Sequence, residues 1–373
     1  MVVRLIPRRS PDANYLRGDP ARELDGIRRG PAQWSIRGGA TPEDIWHDSP
    51  RQAVVGYDLI VAAPRPASIL LAVGSESEQR HVVAAHRSAV RSVVDYLGAD
   101  AWRVNSSRDA ERRSLPASLS VAVGFTHGVS RWGDPHLHDH VLLPSRDLSW
   151  DRAVDSRWLF HHLETADALY RSSLREGIGQ MPGRRSWRSF GGLDYVEGVD
   201  EYLRALWSGH NLERPEKRLW SRDEILAQWR GDLSRYEAGI TMTPPARGER
   251  TVDSHVLGQR LWREHDVRRT DVIRAWADAT VFGSSAEQIR SEVDEELGRA
   301  GFLPRSTAAI PSRVLHSLCR SRERSLGRER EMAVEIRSRS RYDWNNSCSC
   351  AGASSTHPSS RRGPMPKAYP LRP

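Results

Sequence analysis

The sequence predicts an α+β fold, since the segments with strand character come early in the chain and most segments with helical character follow them. Residues 52–63 are mostly apolar and β-branched and end at Pro-Arg-Pro, a pattern typical of a strand. Residues 118–127 alternate between apolar and other side chains, which indicates a second strand. Beyond residue 160, apolar positions recur at helical spacing.

Local patterns predict the remaining elements. Residues 78–98 carry apolar side chains at helical spacing, and Gly98 is suited to cap the end of this helix. The polar stretch 103–116 predicts a loop, and a further strand is predicted at 137–143, joined to the preceding one by 128–136. Later helices are predicted at about 163–180, 199–208, 221–236, 252–265, 268–279 and 284–300.

Composition divides the chain into four regions. Residues 1–50 are rich in Arg, Gly, Pro and Asp and show little periodicity. Residues 51–240 are expected to form the central domain, and residues 241–320 a helical extension. Ser, Arg, Pro and Gly dominate residues 321–373, which predicts a disordered tail because so little apolar surface cannot offset the entropy of ordering.

The charge balance favours an anionic partner. The chain has 373 residues, 56 of them Lys or Arg against 48 Asp or Glu, so its formal net charge is +8. All but two of the basic residues are arginine, a preference that base composition of the coding DNA can explain. The net charge nevertheless attracts polyanions, and arginine binds phosphate oxygens through two donors at once.

Cysteine usage and hydropathy indicate a cytoplasmic protein. The three cysteines, Cys319, Cys348 and Cys350, are odd in number and close to one end of the chain, which excludes a disulfide framework. No apolar run is long enough for a membrane span, so we expect no membrane insertion, and the first eleven residues are too short and polar for a signal peptide. The P-loop pattern for nucleotide binding does not occur.

Four histidines crowd into fourteen residues: His127, His136, His138 and His140. His138 and His140 are two apart on a predicted strand, so they project from one face. A neighbouring antiparallel strand that ends at His127 brings a third imidazole to that face. Three converging imidazoles make a catalytic type of metal site with open coordination positions. His136 is expected in the turn and exposed to solvent. The alternative is a set of histidines that only make hydrogen bonds.

The segments around these histidines resemble a known family. The stretches VGYDLIVAAPRPAS, VAVGFTHGVSRWGDPHLHDHVLL and ALYRSSLREGIG look like the motif blocks of the MobF-type conjugative relaxases, the TrwC/TraI group of the HUH endonucleases. The resemblance covers roughly residues 50–180 and continues more loosely to about 235. The matching positions include the three histidines at the family's spacing, with Ser130, Arg131, Asp134, Pro135 and Leu137.

The resemblance implies an antiparallel sheet of about five strands, with a metal on a central hairpin and helices on one face. The implied activity is site- and strand-specific nicking of single-stranded DNA at the transfer origin of a plasmid or integrative element, through a tyrosine–5′-phosphate intermediate. His127, His138 and His140 would hold a divalent ion, with Mg²⁺ or Mn²⁺ expected and Zn²⁺ as the alternative. The implied partners are this DNA, other relaxosome proteins and components of a type IV secretion system.

The resemblance also implies roles for individual residues. Asp58 matches the family's strand aspartate and either fixes the tautomer of a histidine ligand or accepts the tyrosine proton; the alternative is a solvent-facing aspartate. Arg65 stands where the family usually has lysine and is a candidate phosphate contact. Arg131 and Arg146 flank the hairpin as further phosphate contacts, or else as solvated charges. Trp132 either stacks on an unpaired base or packs.

Tyr15 is the candidate nucleophile, because it is the only tyrosine in the first 56 residues. Family members carry one or two tyrosine pairs there, so a lone tyrosine predicts a single transfer; the alternative is a surface tyrosine. Tyr57 and Tyr170 are expected to pack. The segment between Tyr15 and Asp58 is shorter than in the family, which predicts the loss of a strand or of part of the DNA cleft. Two other functions remain open: a degenerate homologue that binds DNA without nicking it, and an HUH replication initiator.

Overall fold

A five-stranded antiparallel sheet is the central feature of the computed structural model of this chain. The structure describes residues 3–9, 33–39, 41–45, 54–106, 114–130, 132–181, 187–190, 193–196, 221–234, 252–261, 266–302, 309–311, 313–315 and 317–318. All of them lie in one compact unit, Met1–Glu323. The tail predicted at 321–373 lies outside the described residues, and the domain boundaries drawn from composition stay predictions.

The strands of the sheet are β1 (Val3–Arg8), β2 (Gln33–Arg37), β3 (Gly56–Ala62), β6 (Ala122–Val129) and β7 (Pro135–Pro144). Their order in the sheet is β1-β3-β7-β6-β2, and each neighbouring pair is antiparallel. The two longest strands, β6 and β7, form a hairpin in the interior of the sheet. The predicted α+β class and the predicted five-stranded antiparallel sheet are confirmed.

Both outer strands come from residues 1–50, where the sequence predicts no strand. In β1, buried Val3 and Leu5 alternate with exposed Arg4 and Ile6, so only one side of the strand is buried. An outer strand pairs with one neighbour only and is buried on one face only. A short strand of this kind has few apolar positions by which the sequence could reveal it. The shortened N-terminal region therefore still supplies two strands, and the predicted loss of a strand is not seen in this sheet.

Helices cover one face of the sheet, as predicted. These helices are α2 (Arg65–Val73), α3 (Glu76–Tyr96) and α4 (Ser156–Gly179). A capping box between Ser75 and Glu78 starts α3, because the hydroxyl accepts the Glu78 N–H while the carboxylate accepts the Ser75 N–H. The helices and the sheet enclose the main core, to which β3 contributes Tyr57, Leu59 and Val61.

The opposite face carries a second, smaller core at one corner. A single helical turn, α1 (Pro42–Ile45), places Ile45 against Val123 and Phe125 of β6 and Leu142 of β7. The rest of this face includes the histidine-bearing segments of β6 and β7 and the exposed side of β1. The sheet therefore separates a helix-covered side from a side that is open beside the histidines.

Three local predictions differ from the structure. Gly98 does not cap α3: the helix ends at Tyr96 and continues as a π-helical turn, Leu97–Ala101, in which a side chain at position 98 would crowd Arg37 and Leu119. The predicted polar loop holds two short paired strands, β4 (Arg103–Asn105) and β5 (Ser114–Pro116). Helix α4 begins seven residues earlier than predicted, because Asp155 caps it by accepting the Arg157 N–H.

The later helices lie within a few residues of their predicted bounds; the helix predicted at 199–208 lies outside the described residues. Two small hairpins precede them, formed by β8 (Arg146–Asp147) with β9 (Arg152–Ala153) and by β10 (Trp187–Phe190) with β11 (Leu193–Val196). The helices are α5 (Arg222–Ser234), α6 (Ser254–Leu261), α7 (Arg269–Ala279) and α8 (Ala286–Arg299). None of the described helices combines the length and apolarity that a membrane crossing requires.

Ion pairs attach the last helices to the sheet-covering layer. Arg269 at the start of α7 lies 2.9 Å from Asp100 in the π-helical turn and 2.6 Å from Asp294 of α8. Arg171 of α4 lies 2.8 Å from Asp278 of α7. These side chains are mostly buried, so the helical extension packs as part of the same body.

Candidate metal centre

Three imidazoles converge on the open face of the sheet. The register of β6 and β7 sets His127 directly opposite His138, and His140 follows two residues later on the same face. The ligand atoms of the three rings all lie within 4.8 Å of one another, and the ring centroids are 5.1–5.4 Å apart. This is the convergence that the histidine spacing predicts; the role of the three as metal ligands stays a prediction.

Hydrogen bonds orient two of these rings. His140 donates from Nδ1 to the carboxylate of Asp58, with oxygens at 2.9 and 3.0 Å. His138 donates from Nδ1 to the backbone carbonyl of His136 at 2.9 Å. A ring that carries its proton on Nδ1 presents the lone pair of Nε2. Asp58 is fully buried and contacts a histidine of the triad, so it does not face solvent, and its role in the site stays a prediction.

Arg8 is a partner of Asp58 that the sequence does not reveal. Its Nη2 forms an ion pair with Asp58 Oδ2 across β1 and β3, where Arg8 lies opposite Gly56. A buried carboxylate is costly without a counter-charge, and the guanidinium supplies one. Nothing in the sequence distinguishes Arg8 from the other arginines, because only the pairing of β1 with β3 brings it to the site.

The structure corrects the prediction for His136. The residue lies on β7, on the same face as His138, with 4.6 Å between the two ring centroids. Burial, and then the charge of Arg65, lower the pKa of His136 to about 4. Burial likewise lowers the pKa of His138 well below its usual value. A neutral imidazole is the form that binds metals, so the environment favours the ligand state of His138.

The hairpin turn is short because Ser130 closes it. Its Oγ accepts hydrogen bonds from the backbone N–H of Trp132 and of Asp134, and Gly133 adopts a positive φ of 85° that favours glycine. β7 can therefore begin at Pro135, earlier than predicted, which explains why His136 belongs to the strand. Trp229 of α5 donates from its indole Nε1 to the carbonyl of Gly133 at 2.7 Å. The sequence gives no sign of this contact.

The other predicted residues fall into three groups. Arg65 and Trp132 lie beside the hairpin: Arg65 Nη1 is 4.0 Å from Asp134, and Trp132 is partly buried in the turn. Arg146 is six residues beyond His140, or ~20 Å along the strand direction, and its Nε lies 2.7 Å from Asp151. The structure does not bring Arg146 to the histidines. Tyr15 and Arg131 lie outside the described residues.

A buried polar network supports β7 from the helix-covered side. Asp139 lies between the two histidines in sequence but points to the opposite face. It accepts a hydrogen bond from Trp34 Nε1 at 2.8 Å and lies 3.0 Å from His86 Nε2, whose Nδ1 is 2.7 Å from the Tyr170 hydroxyl. Burial alone would raise the pKa of Asp139, but His86 and the hydrogen bonds hold this pKa below its usual value. Burial raises the pKa of Tyr170, so this phenol packs, as predicted.

The donor set fits a divalent ion with imidazole ligands. The three rings lie on two hydrogen-bonded strands. Asp58 orients the ring of His140, and the His136 carbonyl orients the ring of His138, each by a hydrogen bond at Nδ1. Three protein ligands leave open positions for substrate or water, which is typical of catalytic rather than structural sites. Imidazole alone suits several divalent ions.

Comparison with known proteins identifies the family. The family described as TrwC relaxase matches residues 5–209, more than half of the chain. The chain belongs to the TrwC relaxase family. No curated protein sequence matches it closely enough to count as a relative.

Solved structures of TrwC resemble this relaxase-family chain. A metal-free structure of the conjugative relaxase TrwC in complex with oriT DNA aligns with a TM-score of 0.51 and 16% identity, over 63% of this chain and 98% of that one. TrwC with a 27-mer DNA that comprises the recognition hairpin and cleavage site aligns at 0.49, with 15% identity over 62% and 98%. The metal-bound complex with oriT DNA aligns at 0.49, with 16% identity over 63% and 98%. At such identity the likeness shows the fold alone.

The TrwC relaxase match includes every residue of the histidine site but ends before α5. The indole of Trp229, which holds the hairpin turn, therefore comes from outside the matched range. Helices α7 and α8 also lie outside the matched range. Arg269 of α7 forms one ion pair with Asp100 and a second with Asp294 of α8.

Proposed function

We propose that this TrwC-family protein nicks one strand of DNA at the transfer origin of a plasmid or integrative element and transfers that strand. The observation that carries the proposal is the cluster of His127, His138 and His140, within 4.8 Å at their ligand atoms and braced by Asp58. The family match supports it, and so does the likeness to a structure of TrwC in complex with oriT DNA.

The reaction exchanges one phosphodiester for another. The tyrosine oxygen attacks the scissile phosphorus, a bond forms between that oxygen and the phosphate, and the bond to the 3′ oxygen of the preceding nucleotide breaks. The phenol proton leaves the tyrosine, and the departing 3′ oxygen gains a proton to become a free 3′-OH. Because the two esters are of similar energy, attack by a 3′-OH on the phosphotyrosine reverses the reaction and rejoins a strand.

Tyr15 is the proposed nucleophile. It follows Arg8, the partner of Asp58, by seven residues, and seven residues span at most ~25 Å, so the chain keeps Tyr15 within that distance of Arg8. A phenol with a pKa of about 10 is a weak nucleophile at neutral pH and needs help to lose its proton. The proposed role of Asp58 is to hold His140 in the Nδ1-protonated tautomer, with proton acceptance from the tyrosine as the alternative.

The proposed cofactor is a divalent ion, Mg²⁺ or Mn²⁺, with Zn²⁺ as the alternative. Bound to the three ring nitrogens, such an ion would polarise the scissile phosphate and neutralise charge that develops on its oxygens. The chain's own residues prepare the site: the His136 carbonyl orients His138, Asp58 orients His140, and Arg8 balances the buried carboxylate.

The proposed DNA contacts are Arg65, Arg131 and Trp132 around the hairpin. Arginine supports phosphate binding, and an indole beside the metal site is suited to stack on an unpaired base. Arg146 is a more distant candidate, because its guanidinium is already engaged with Asp151. The net charge of +8 supports an anionic substrate. The remaining proposed partners are relaxosome and type IV secretion proteins in the cytoplasm.

Covalent capture tests this proposal and identifies the DNA site in the same experiment. The full chain is incubated with Mn²⁺ and single-stranded oligonucleotides that have a randomised central segment, and SDS-stable adducts are isolated and sequenced. We expect a preferred DNA sequence, a released fragment with a free 3′-OH, and a phosphotyrosine that peptide mass spectrometry assigns to Tyr15. Tyr15→Phe and the triple exchange of the three histidines to alanine are expected to abolish the adduct.

Two outcomes would contradict the proposal. Adduct formation that persists in Tyr15→Phe removes Tyr15 as the nucleophile. Sequence-selective binding of DNA with no adduct under any divalent ion supports the alternative, a homologue that binds DNA without nicking it.

A further inference from the structure

His136 extends the row of histidines along β7. It lies on the same face as His138 and His140, two residues before His138, or about 7 Å along the strand. Its ring packs on that of His138, with 4.6 Å between the centroids and 34° between the planes. Among the described residues, the cluster with metal-binding geometry contains His127, His138 and His140 but not His136. His136 therefore adjoins the triad without belonging to it.

Arg65 brings a positive charge close to this fourth imidazole. It is the first residue of α2, and its Nη1 lies 4.0 Å from Oδ2 of Asp134, two residues before His136 on the chain. Two hydrogen bonds fix the start of α2 against β7: the Leu137 N–H donates to Ser68 Oγ at 3.0 Å, and the Ala63 N–H donates to the Leu137 carbonyl at 2.7 Å. The backbone of Arg65 is thus attached to the strand that carries His136.

The guanidinium of Arg65 is suited to a second anionic partner. Its ion pair with Asp134 is long, at 4.0 Å between Nη1 and Oδ2. A guanidinium has five N–H donors, so the contact with Asp134 leaves other N–H groups that can bind a second anion. Burial lowers the pKa of Arg65, which means that the cation has lost part of its hydration. A phosphate would supply strong charge-assisted hydrogen bonds in place of the lost water.

We propose that His136 and Arg65 form a second phosphate subsite beside the triad, and that it holds a phosphate adjoining the scissile one in the substrate strand. The proposal rests on the proposed nicking function, because that function places a single DNA strand on this face. The distance from His138 to His136 along β7 is comparable to one nucleotide of an extended strand. Contacts to two successive phosphates would fix the direction and position of the strand over the histidines.

Single phosphates of the substrate can be neutralised one at a time to test this. Oligonucleotides recovered by covalent capture are synthesised with one uncharged methylphosphonate at each position around the cleavage site, and their Kd is measured by fluorescence anisotropy in EDTA. We expect the full-length protein to lose roughly tenfold in affinity at one adjoining position, the loss typical of a hydrogen bond to a charged group. His136→Gln and Arg65→Gln are expected to weaken the unmodified strand by a similar factor and to be insensitive to that methylphosphonate.

Matched control variants come from the other side of the molecule. His161→Gln changes an exposed histidine on α4, and Arg80→Gln changes an arginine on α3 that pairs with Glu76. Both are expected to keep the affinity and the position dependence of the unaltered protein. Circular dichroism checks that every variant is folded.

Two results would overturn the inference. One is a full tenfold loss of DNA affinity, caused by the same methylphosphonate, in both His136→Gln and Arg65→Gln. The other is a tenfold fall in Mn²⁺ affinity in His136→Gln with the position dependence intact, which would make His136 a fourth ligand. Failure of the nicking proposal is a separate result, since no adduct would then form. The methylphosphonate scan could still be run on a strand selected by binding alone.

Discussion

The Nδ1–H of His140 points at both carboxylate oxygens of Asp58, at 2.9 and 3.0 Å, and the same carboxylate is paired with Arg8 on the neighbouring strand. Three strands thus contribute one residue each to a single chain of contacts, β1 to β3 to β7. The imidazole at the end of this chain is one of the three that face each other on the open side of the sheet.

Replacing Asp58 with asparagine should weaken metal binding. An amide carries no charge and supports the Nδ1-protonated tautomer of His140 less well, and loss of such an outer partner typically lowers metal affinity ~10–100-fold. Isothermal titration with Mn²⁺ and with Zn²⁺ measures the effect. Asp95→Asn on α3, whose carboxylate pairs with Arg37, is the matched control. Equal affinities in Asp58→Asn and the unaltered protein would contradict the assigned role.

Replacing Arg8 with methionine should destabilise the fold. The change keeps an apolar stem but leaves the fully buried Asp58 with less compensation for its charge, for which we expect a loss of about 3 kcal/mol in the free energy of unfolding. Urea denaturation at neutral pH measures it. Arg4→Met alters an exposed position of the same strand and should change stability by less than about 0.5 kcal/mol. Similar values for the two variants would argue against the ion pair as a stabilising contact.

His162 should make the fold sensitive to mild acid. Its pKa is lowered to about 4, mainly by burial, and its Nδ1 lies 2.8 Å from the Tyr96 hydroxyl. Between pH 6.5 and 4 the unfolded chain takes up a proton that folded His162 refuses, so stability falls as the pH falls, by up to about 3 kcal/mol. Above pH 6.5 both states are neutral and the residue contributes no pH dependence.

Urea denaturation at pH 7, 6 and 5 isolates this effect. His162→Gln should lose less stability between pH 7 and pH 5 than the unaltered protein does. His161→Gln, which changes the exposed neighbour and removes a contribution smaller than burial to the lowered pKa of His162, should keep most of the pH dependence. An unchanged slope in His162→Gln would assign the acid sensitivity to other groups.

Replacing Trp229 with phenylalanine should loosen the hairpin turn. The ring keeps most of its packing, but the carbonyl of Gly133 loses its indole donor in a buried setting, which costs about 1–2 kcal/mol. Hydrogen exchange at the turn residues should speed up more than exchange in α4. Trp150→Phe changes a half-exposed indole and should leave exchange at the turn unchanged. Equal protection in both variants would show that the hydrogen bond does not hold the turn.

Removal of the metal should lower the melting temperature only when the triad is present. At a free concentration one hundred times Kd, a ligand that binds only the folded state stabilises it by about 2.7 kcal/mol. Thermal unfolding with Mn²⁺ and with excess EDTA measures the difference. A variant with His127, His138 and His140 all exchanged for alanine should show no difference. A metal-dependent shift that survives in this variant would place the ion elsewhere.

The sequence predicts those parts of the site that follow from local periodicity. His138 and His140 share a face because they are two apart on a strand, and His127 joins them because a short hairpin sets the register. The interior strands are also predictable, since each carries a buried row of apolar, partly β-branched side chains. The resemblance to relaxases directs attention to Asp58.

Features that depend on distant pairing are not predictable in this way. Arg8 reaches Asp58 only because β1 pairs with β3, and Trp229 reaches the turn only because α5 packs there. His136 is assigned wrongly because the turn is shorter than its Gly-Asp-Pro content suggests, once Ser130 and Gly133 close it. The outer strands are missed because one exposed side dilutes their apolar pattern.

The two outer strands bracket the segment that carries Tyr15. β1 lies at one border of the sheet and β2 at the other, so the intervening chain is anchored at both of its ends across four strand spacings, ~19 Å. If Tyr15 is the nucleophile, as proposed, its chain is attached to the sheet on both sides, through β1 and through β2. DNA covalently bound to this residue would therefore be attached to the sheet through both outer strands. Local unfolding of one of these strands would leave the DNA attached through the other.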